Sequence, residues 1–355
     1  MKRKGMGKGK GKGKARAKVK APDLAAVFIP TLAMVLGGAE REKGRPLSER
    51  EVLTIRDRSI AVMLRPEAVA EMAASRGYRD IDPEDCWADW HRLRVEYSGL
   101  GYLPKFVLCA VGDEAFADKA RALLSAESVE HEVRERDDRM GTAFRAAAFR
   151  TDPSLTEMDL AAIDRHQSVV YALSKNFSAG EALSTARRML ALGARLLDAG
   201  GTALKCESSG IAHGRARWRA LARSADDESL FRAFVQYPIG PARNDYYTCG
   251  LHLLGMPDLI ASKAALGGDP AASGALFATF ALYLLLECAP GQFRSGHHFR
   301  LDRGAPRYTV SWEACNGYDE DDFFFNSFGR YRFEPATGTG SGRSSGRKKG
   351  VGPRG

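Results

Sequence analysis

Two apolar runs of strand length are each followed by a segment with helical periodicity, and this repeated order restricts the fold more than any other feature. Phe106–Val111 and Ser168–Leu173 have the continuous apolar character of buried strands. Residues 114–124 and 178–199 follow them with apolar side chains on one helical face. Thr202–Cys206 then returns to strand character. Two such strand-helix-strand halves predict an α/β or α+β fold, with a mixed sheet and flanking helices, rather than a bundle or a sandwich.

The same pattern divides the folded region into residues 55–150 and 155–335. The first half is predicted to contain a buried strand at Ser59–Leu64, a helix from Pro66 that ends at Gly77, an irregular segment over 80–104, a solvated helix or loop over 127–138, and a strand at Thr142–Phe149. The second half is predicted to contain a strand within Tyr246–Leu254, a helix over Ala271–Cys288, and strands at Phe299–Leu301, Arg307–Glu313 and Phe328–Phe333. The pattern leaves open whether the halves are separate lobes or share a sheet.

Positive charge is concentrated at both ends of the chain. Of 53 Lys and Arg residues, ten lie in residues 1–20 and five in 336–355, and neither stretch contains an acid. The region between them carries a net charge of −6, although the whole chain carries +9. Residues 1–22 and 336–355 offer too few apolar side chains to offset the entropy of ordering, so we expect disordered basic tails. Such tails favour nonspecific binding to an anionic partner, either nucleic acid or an acidic protein surface.

Two apolar stretches and the cysteines bear on localisation. Leu24–Leu36 follows the basic tail as in a signal peptide, but Asp23 abuts it and Pro30 interrupts it, which favours a strand or short helix entering the domain. Neither this run nor Leu276–Leu286 reaches the ~20 residues of a membrane-spanning helix. The six cysteines show no CxxC pair, which favours free thiols and the cytoplasm. The sequence leaves open whether residues 1–36 belong to the mature protein.

No phosphate-binding loop, serine-hydrolase elbow, zinc-protease motif or kinase motif occurs in the chain, so polar clusters are the remaining guide to chemistry. The richest cluster, residues 205–213, leaves a predicted strand at the end where such sheets bind ligands. Glu207 is a candidate general base, either of the next two serines a candidate nucleophile, and His213 a candidate acid/base partner. The favoured alternative is structural: the serines cap a turn, Gly210 supplies a positive φ angle, and His213 caps the next helix.

A second cluster surrounds His252, which lies between apolar residues and is more typical of a satisfied core histidine. The segment Gly255–Asp258 has the character of a turn that begins a helix, with Asp258 near the helix N-terminus. If Glu207, His213, His252 and Asp258 converged in one cleft, they would form a hydrolase-type site. Burial of His252 in the core would argue against that site.

Two further clusters contain metal-binding residue types. His297 and His298 are adjacent on a predicted strand, so at most one of them faces a given site. Together with Cys249, Cys315 and the histidine of the second cluster they include zinc-ligand types, but their spacing is irregular. Residues 318–326 contain four acids without calcium-loop spacing, and a solvated acidic turn is the favoured interpretation. The sequence therefore predicts neither a metal nor another cofactor.

The order of these clusters resembles a bacterial family of domains of unknown function. The resemblance covers about residues 160–333 and lies in Gly200-Gly201, Glu207-Ser208-Ser209-Gly210, His213 and the run from Cys249 to Asp258. It implies an α+β build and assigns no activity, cofactor or catalytic residue. We therefore expect a cytoplasmic interaction or regulatory module. The alternatives are a hydrolase with the four residues named above and nonspecific nucleic-acid binding through the tails.

Overall fold

The computed structural model describes residues 24–99, 101–148, 150, 153–236, 244–288 and 292–336. Apart from Ala336, both predicted tails lie outside these residues. The described part combines helices with an antiparallel five-stranded sheet, a mixed five-stranded sheet and a two-stranded sheet, which confirms the predicted α+β class. None of the helices in these ranges has both the length and the apolar composition needed to cross a membrane.

The N-terminal unit, residues 24–99, is a small helical layer with a two-stranded sheet. Its elements are β1 (Ala25–Phe28), α1 (Leu32–Lys43), α2 (Glu49–Arg58), β2 (Ala61–Leu64), α3 (Pro66–Arg76) and α4 (Cys86–Ser98). Strands β1 and β2 pair in antiparallel orientation, and the helices enclose a core that contains Leu32, Leu36, Val52 and Trp90.

Two predictions for this unit were wrong. Residues 80–104 were expected to be irregular, yet α4 lies within them, because Cys86, Trp90 and Arg94 follow each other at helical spacing and are buried together. The strand at Ser59–Leu64 was expected to be buried. The structure shortens it to β2, whose first three residues are exposed.

The middle of the chain forms a central sheet and its helices. The elements are β3 (Val107–Gly112), α5 (Glu114–Ala126), β4 (Glu130–Glu135), α6 (Arg139–Ala148), α7 (Glu157–Asp164), β5 (Ser168–Leu173), α8 (Ala182–Asp198), β6 (Gly201–Cys206), β7 (Ile211–Gly214), α9 (Arg215–Ser224) and α10 (Asp227–Phe234). The strand order is β4–β5–β3–β6–β7, and every neighbouring pair is antiparallel. The boundary near residues 150–155 falls between β4 and β5, so both halves contribute strands to this sheet.

Hydrophobic clusters cover both faces of the central sheet at β3. Side chains alternate along this strand, so each cluster receives every second residue. Leu108 and Ala110 belong to the main hydrophobic core, together with Leu190 of α8. Cys109 and Val111 point to the opposite face and pack in a cluster with α6 and α7. All six residues of β3 are buried, which makes it the central strand of the fold.

Two further predictions are corrected in this region. Residues 127–138 were expected to form a solvated helix or loop, but they contain β4, an edge strand whose charged side chains are largely exposed, as is common at sheet edges. Thr142–Phe149 was expected to be a strand, but it lies largely within α6. Its alanines favour a helix, and Met140, Phe144 and Ala147 are buried at helical spacing.

The C-terminal sheet is formed by residues 245–335. Its elements are β8 (Asp245–Tyr247), β9 (Asp258–Ser262), α11 (Pro270–Leu286), β10 (His297–Phe299), β11 (Tyr308–Glu313) and β12 (Arg330–Pro335). The strand order is β10–β11–β12–β9–β8, with β12 and β9 parallel and the other pairs antiparallel. Helix α11 covers one face, where Phe280 and Phe333 lie with ring centroids 5.0 Å apart.

The predicted strand at Tyr246–Leu254 and the predicted helix after it are both corrected. Only β8 is extended, and Leu251–Leu254 forms a turn of 3₁₀ helix between two glycines with positive φ. Asp258 begins strand β9 rather than a helix. The N-terminal unit contacts this sheet through an edge-to-face pair of Trp87 and Trp312, with ring centroids 6.0 Å apart.

Candidate functional site

A pocket of about 230 Å³ lies on the face of the C-terminal sheet opposite α11. The strand register places Asp258 beside Arg330, and Ile260 between Arg332 and Tyr247. Because side chains alternate along strands, these five residues share one face. Their neighbours in sequence, such as Leu259 and Tyr331, belong to the hydrophobic core on the other face.

The loop between β11 and β12 closes the pocket from above. The remaining lining residues are Asp245, Thr248, Cys249, Cys315, Asn316, Gly317, Tyr318 and Phe324. The rings of Tyr318 and Phe324 contact each other edge to face, which holds this part of the loop together. Pockets for drug-sized ligands usually enclose ~300–1,000 Å³, so the volume here suits a smaller molecule.

Asp258 is held at the edge of the pocket by neutral donors. Its Oδ1 accepts hydrogen bonds from Thr248 Oγ1 at 2.9 Å and from the Leu251 amide at 3.2 Å. Its Oδ2 accepts a hydrogen bond from Asn326 Nδ2 at 2.7 Å. The side chain is almost fully buried. These bonds fix the carboxylate in one orientation and explain how a charged group is tolerated there.

Two arginines on β12 share one carboxylate at the wall of the pocket. Arg332 donates from Nε and Nη2 to Glu313 at 2.7 and 3.0 Å, and this hydrogen bonding raises the pKa of the Arg332 guanidinium. Arg330 Nη2 donates to Glu313 at 2.7 Å and also to Asn316. The Nε of Arg330 is buried, and no described residue accepts its hydrogen bond. A buried donor without an acceptor costs roughly 1–3 kcal/mol.

The two cysteines that line the pocket do not form a metal site or a reactive pair. Cys249 is buried, and desolvation raises the pKa of its thiol well above the usual value, which disfavours the nucleophilic thiolate. His297 and His298, which were weighed with it as zinc ligands, are exposed on β10. Across the described ranges, no three His, Cys, Asp or Glu side chains are arranged to hold a metal ion.

His252 lies behind Asp258 and does not line the pocket. Its Nδ1 is 3.8 Å from Asp258 Oδ2, and the side chain is only 1% exposed. Neither ring nitrogen has a hydrogen-bond partner in the part of the chain that the structure describes. The ring lies in the buried 3₁₀ turn, so it occupies the core, but it lacks the hydrogen-bond partners expected of a satisfied core histidine.

Glu207 and His213 occupy other environments. Glu207 pairs with Lys205 at 2.5 Å on the central sheet. His213, on β7, is buried, and its Nε2 lies 3.1 Å from the Ala233 carbonyl oxygen. Burial lowers the pKa of His213 to about 4. Of the four candidate catalytic residues, Asp258 alone belongs to the pocket lining described above.

The side chain of Ser208 and the backbone of Ser209 have structural roles. Ser208 Oγ donates to the Lys105 carbonyl at 2.7 Å and accepts a hydrogen bond from the Val107 amide at 2.9 Å, which ties the β6–β7 turn to the start of β3. Gly210 has a φ angle of 72°, as the turn interpretation required. The Ser209 carbonyl accepts a hydrogen bond from Gln236. This cluster therefore stabilises a junction between sheets.

Two segments that carry the resemblance, residues 207–210 and residues 249–258, pack against each other. Gly250 has a φ angle of 115°, and a Cβ atom there would overlap both the Phe234 carbonyl and the side chain of Ser209. Glycine is therefore required where the segment after β8 crosses the β6–β7 turn.

The sequence did not lead us to predict Arg330, Arg332 or Asn316 as residues of the pocket. The alternation in Arg330-Tyr331-Arg332-Phe333 was a usable signal, because a strand with this pattern places both guanidinium groups on one face. Asn316 had no comparable signal, since its position depends on the fold of the covering loop.

Comparisons with known proteins add no identification. No family model, curated protein or solved structure matches this chain. The resemblance to a bacterial family of domains of unknown function therefore stays a prediction based on the motif residues alone.

Proposed function

We propose that the protein is a regulatory module that binds a small metabolite in the pocket of the C-terminal sheet. The observation that carries this proposal is the buried Nε of Arg330, a donor at the pocket wall for which the described residues provide no acceptor. Since this nitrogen is not exposed to the pocket, the Arg330 side chain would turn toward the ligand, and a carboxylate or phosphate oxygen would then accept the hydrogen bond. Bonds between guanidinium groups and such anions are among the stronger hydrogen bonds in proteins.

The charges around the pocket refine the class of ligand. Arg330 and Arg332 share Glu313, and Asp258 beside Arg330 takes its hydrogen bonds from neutral donors instead of from an arginine. Asp245 lies at the opposite strand of the lining and is partly exposed. A suitable ligand would have an anionic group that faces the two arginines of β12 and an amine or hydroxyl group that faces Asp245.

The test is a binding screen of the full chain against small carboxylates, amino acids and sugar phosphates. Ligand present at 100 times its Kd stabilises the folded state by about 2.7 kcal/mol, so a thermal-shift screen detects it and calorimetry then gives the Kd. We expect Arg330→Lys, which retains the charge but loses Nε, to bind about tenfold more weakly. Arg121→Lys makes the same exchange at an exposed position on α5 and is the matched control.

Two results would contradict this proposal. An unchanged Kd in Arg330→Lys would overturn the proposed role of Nε. If no compound in the panel stabilises the wild-type chain, the proposal of a small anionic ligand is also rejected.

A hydrolase is the second proposal, and the closeness of Asp258 and His252 is the observation that favours it. It has less support because both candidate histidines are buried and Glu207 pairs with Lys205. It predicts that the chain hydrolyses small esters or amides and that Asp258→Asn abolishes turnover without unfolding the protein. Equal turnover by the wild type and by Asp258→Asn would reject the hydrolase proposal.

Nonspecific nucleic-acid binding through the basic tails also remains a proposal, based on the ten Lys and Arg residues in residues 1–20 and the five in residues 336–355. It predicts that affinity for duplex DNA falls steeply with salt and is lost when these residues are replaced by glutamine. Salt-independent binding would contradict it. We further propose a cytoplasmic location, which is supported by the fact that all six cysteines are free thiols.

A further inference from the structure

The outer edge of β4 has no strand partner among the residues that the structure describes. Strand β4 is the first strand of the central sheet, and it pairs with β5 on one side only. Its six residues are all exposed or partly exposed. The backbone N–H and C=O groups along such an edge can pair with a strand of another molecule. This edge therefore offers a place for an additional strand.

The charged side chains at this edge follow a self-complementary order. Charges at a sheet edge usually oppose pairing with other chains. Residues 130–136, however, read Glu-His-Glu-Val-Arg-Glu-Arg. Each acid on one side of Val133 has a basic residue at the same distance on the other side. An antiparallel copy of the segment centred on Val133 therefore places a carboxylate opposite a base at every position except the centre.

A two-fold axis at Val133 brings matching side chains together on both faces of the sheet. On one face, Glu132 lies opposite Arg134 of the second copy, and this pair occurs twice because of the symmetry. On the other face, the two copies of Val133 meet, and His131 lies opposite Glu135 of the second copy. Residues directly opposite on antiparallel strands are close enough to form ion pairs and apolar contacts.

The neighbouring registers are less favourable. A shift of the second copy by two residues in one direction places Glu132 opposite Glu132, and a shift in the other direction places Arg134 opposite Arg134. Like charges directly opposite each other on paired strands are destabilising. The charges of β4 therefore favour one symmetric register over those on either side of it, as expected for a specific interface.

The two central charges are already held in position on the single chain. Arg134 donates to Glu132 on the same strand at 2.7 and 2.9 Å, and both side chains remain about half exposed. The Arg134 guanidinium also lies over the ring of Tyr171 on β5, 5.3 Å from its centre. In the symmetric pair of strands, two such ion pairs meet as a ring of four alternating charges.

The charged residues that follow β4 have partners of their own. Arg136 pairs with Asp138 and donates to two backbone carbonyls, and Asp137 pairs with Arg139. These contacts lie within one chain and leave Arg136 less free to reach a second copy. The central charges, Glu132 and Arg134, are therefore the ones expected to determine the register.

We propose that the protein forms a symmetric dimer in which β4 pairs in antiparallel orientation with β4 of a second copy, centred on Val133. The central sheets of the two copies then join into one continuous sheet. This interface is independent of the function proposed above, because the pocket lies on the other five-stranded sheet. One pair of short strands is a small contact beside a standard interface of roughly 1,200–2,000 Å², so we expect a dissociation constant on the order of 10 μM.

The test measures dimerisation of the full chain by analytical ultracentrifugation over a range of concentrations. Glu132→Arg places an arginine opposite Arg134 of the second copy, and Arg134→Glu places a carboxylate opposite Glu132. Each variant should weaken dimerisation about tenfold or more, since two attractive pairs become repulsive. Arg219→Glu reverses the charge of an exposed arginine that pairs with Asp198, on a helix that packs at the opposite edge of the sheet, and should dimerise like the wild type.

Combining the two β4 variants tests the register itself. An equimolar mixture of Glu132→Arg and Arg134→Glu should form a heterodimer, because every reversed side chain then faces an opposite charge. The double variant Glu132→Arg/Arg134→Glu should also recover dimerisation, because it exchanges the two charges without changing their complementarity. A variant that was merely misfolded would show neither recovery, and circular dichroism verifies that each one is folded.

Three results would overturn the proposal. The first is a wild-type chain that stays monomeric at about a hundred times the expected dissociation constant. The second is unchanged dimerisation in both single variants, because the contact would then lie on another surface. The third is loss of dimerisation in the single variants without recovery in their mixture or in the double variant, which would contradict the register centred on Val133.

Discussion

Asn326 Nδ2 donates a hydrogen bond to Asp258 Oδ2 at 2.7 Å, and both side chains are buried. The same amide nitrogen donates to the Met256 carbonyl at 3.0 Å, and Asn326 Oδ1 accepts a hydrogen bond from the Phe328 amide at 2.9 Å. One side chain therefore connects the end of the loop that covers the pocket with the first residue of β9. The shape of the pocket depends on this connection.

Replacing Asn326 by aspartate should destabilise the protein at pH 7 by about 2 kcal/mol or more, because it removes a donor and places two carboxylates together in a buried site. The repulsion raises the pKa of the pair in the folded state above its unfolded value. The folded state then binds more protons, so the loss should shrink as the pH falls toward the carboxylate range. Urea denaturation at pH 7 and pH 5 measures both effects.

The control for this variant is Asn316→Asp, which places a carboxylate beside Arg330 instead of beside an acid. It should leave stability at pH 7 within about 1 kcal/mol of the wild type, as expected for a partly exposed ion pair. If Asn326→Asp is as stable as this control, the bond to Asp258 does not organise the pocket.

Gly250→Ala should be among the most destabilising small substitutions in the chain. The position combines a positive φ angle with direct overlap between a new methyl group and the Phe234 carbonyl. We expect a loss of about 3 kcal/mol or more in the free energy of unfolding. Gly268→Ala shares the positive φ angle but meets no atom within 4 Å, so it should cost only about 1 kcal/mol. Equal losses of unfolding free energy at the two positions would show that the Phe234 carbonyl moves away from the new methyl group.

Acidification should destabilise the protein through His213. Burial lowers its pKa in the folded state to about 4, whereas an unfolded histidine titrates near 6.5. Between these pH values the unfolded state binds more protons, so stability is complete above about pH 6.5 and falls as the pH approaches 4. The full effect of such a shift is about 3 kcal/mol.

His213→Gln tests this assignment, because glutamine can still donate to the Ala233 carbonyl but does not titrate. Its stability should decline less than that of the wild type between pH 7 and pH 4. His298→Gln, at an exposed position on β10, should retain the slope of the wild type. Parallel curves for wild type and His213→Gln would assign the acid sensitivity to other groups.

Thiol reactivity should divide the cysteines into two classes. Burial raises the pKa of Cys86 and Cys206 to about 12, and it also raises the pKa of Cys109 and Cys249. These four should resist a disulfide reagent at pH 8 in the native protein, because the thiolate is the reacting form. Partly exposed Cys288 and Cys315 should react. Rapid modification of more than two thiols without denaturant would contradict the buried positions, and denaturant should release all six.

The sequence was most informative where one strong pattern dominated a segment. Strand β5 occupies the predicted Ser168–Leu173, and α8 lies within the predicted helix, because an uninterrupted apolar run and a capped amphipathic run each favour one local structure. Strand β4 was missed because its alternation is carried by charged residues, and its conformation comes from pairing with β5. Such pairing is set by tertiary contacts rather than by local preference.

The pocket was harder to predict than the fold. Asp258 was singled out from the sequence, although as the start of a helix. Glu313, Asn326 and Arg330 lie more than fifty residues away from it along the chain. The strand register brings Glu313 and Arg330 to the site, and the loop between β11 and β12 brings Asn326. Spacing along a sequence carries little information about a site built in this way.

The position of β3 also constrains the order in which the protein can form during synthesis. Leu108 pairs with Ala172 on one side and with Cys206 on the other. When a ribosome has translated β3, neither neighbouring strand yet exists. The six buried residues of β3 must therefore wait for about another hundred residues of nascent chain before both edges are paired, at roughly 5–20 residues per second. Until then the chain carries an apolar strand with two open edges, so its yield in a cell should depend on chaperones that shield nascent chains.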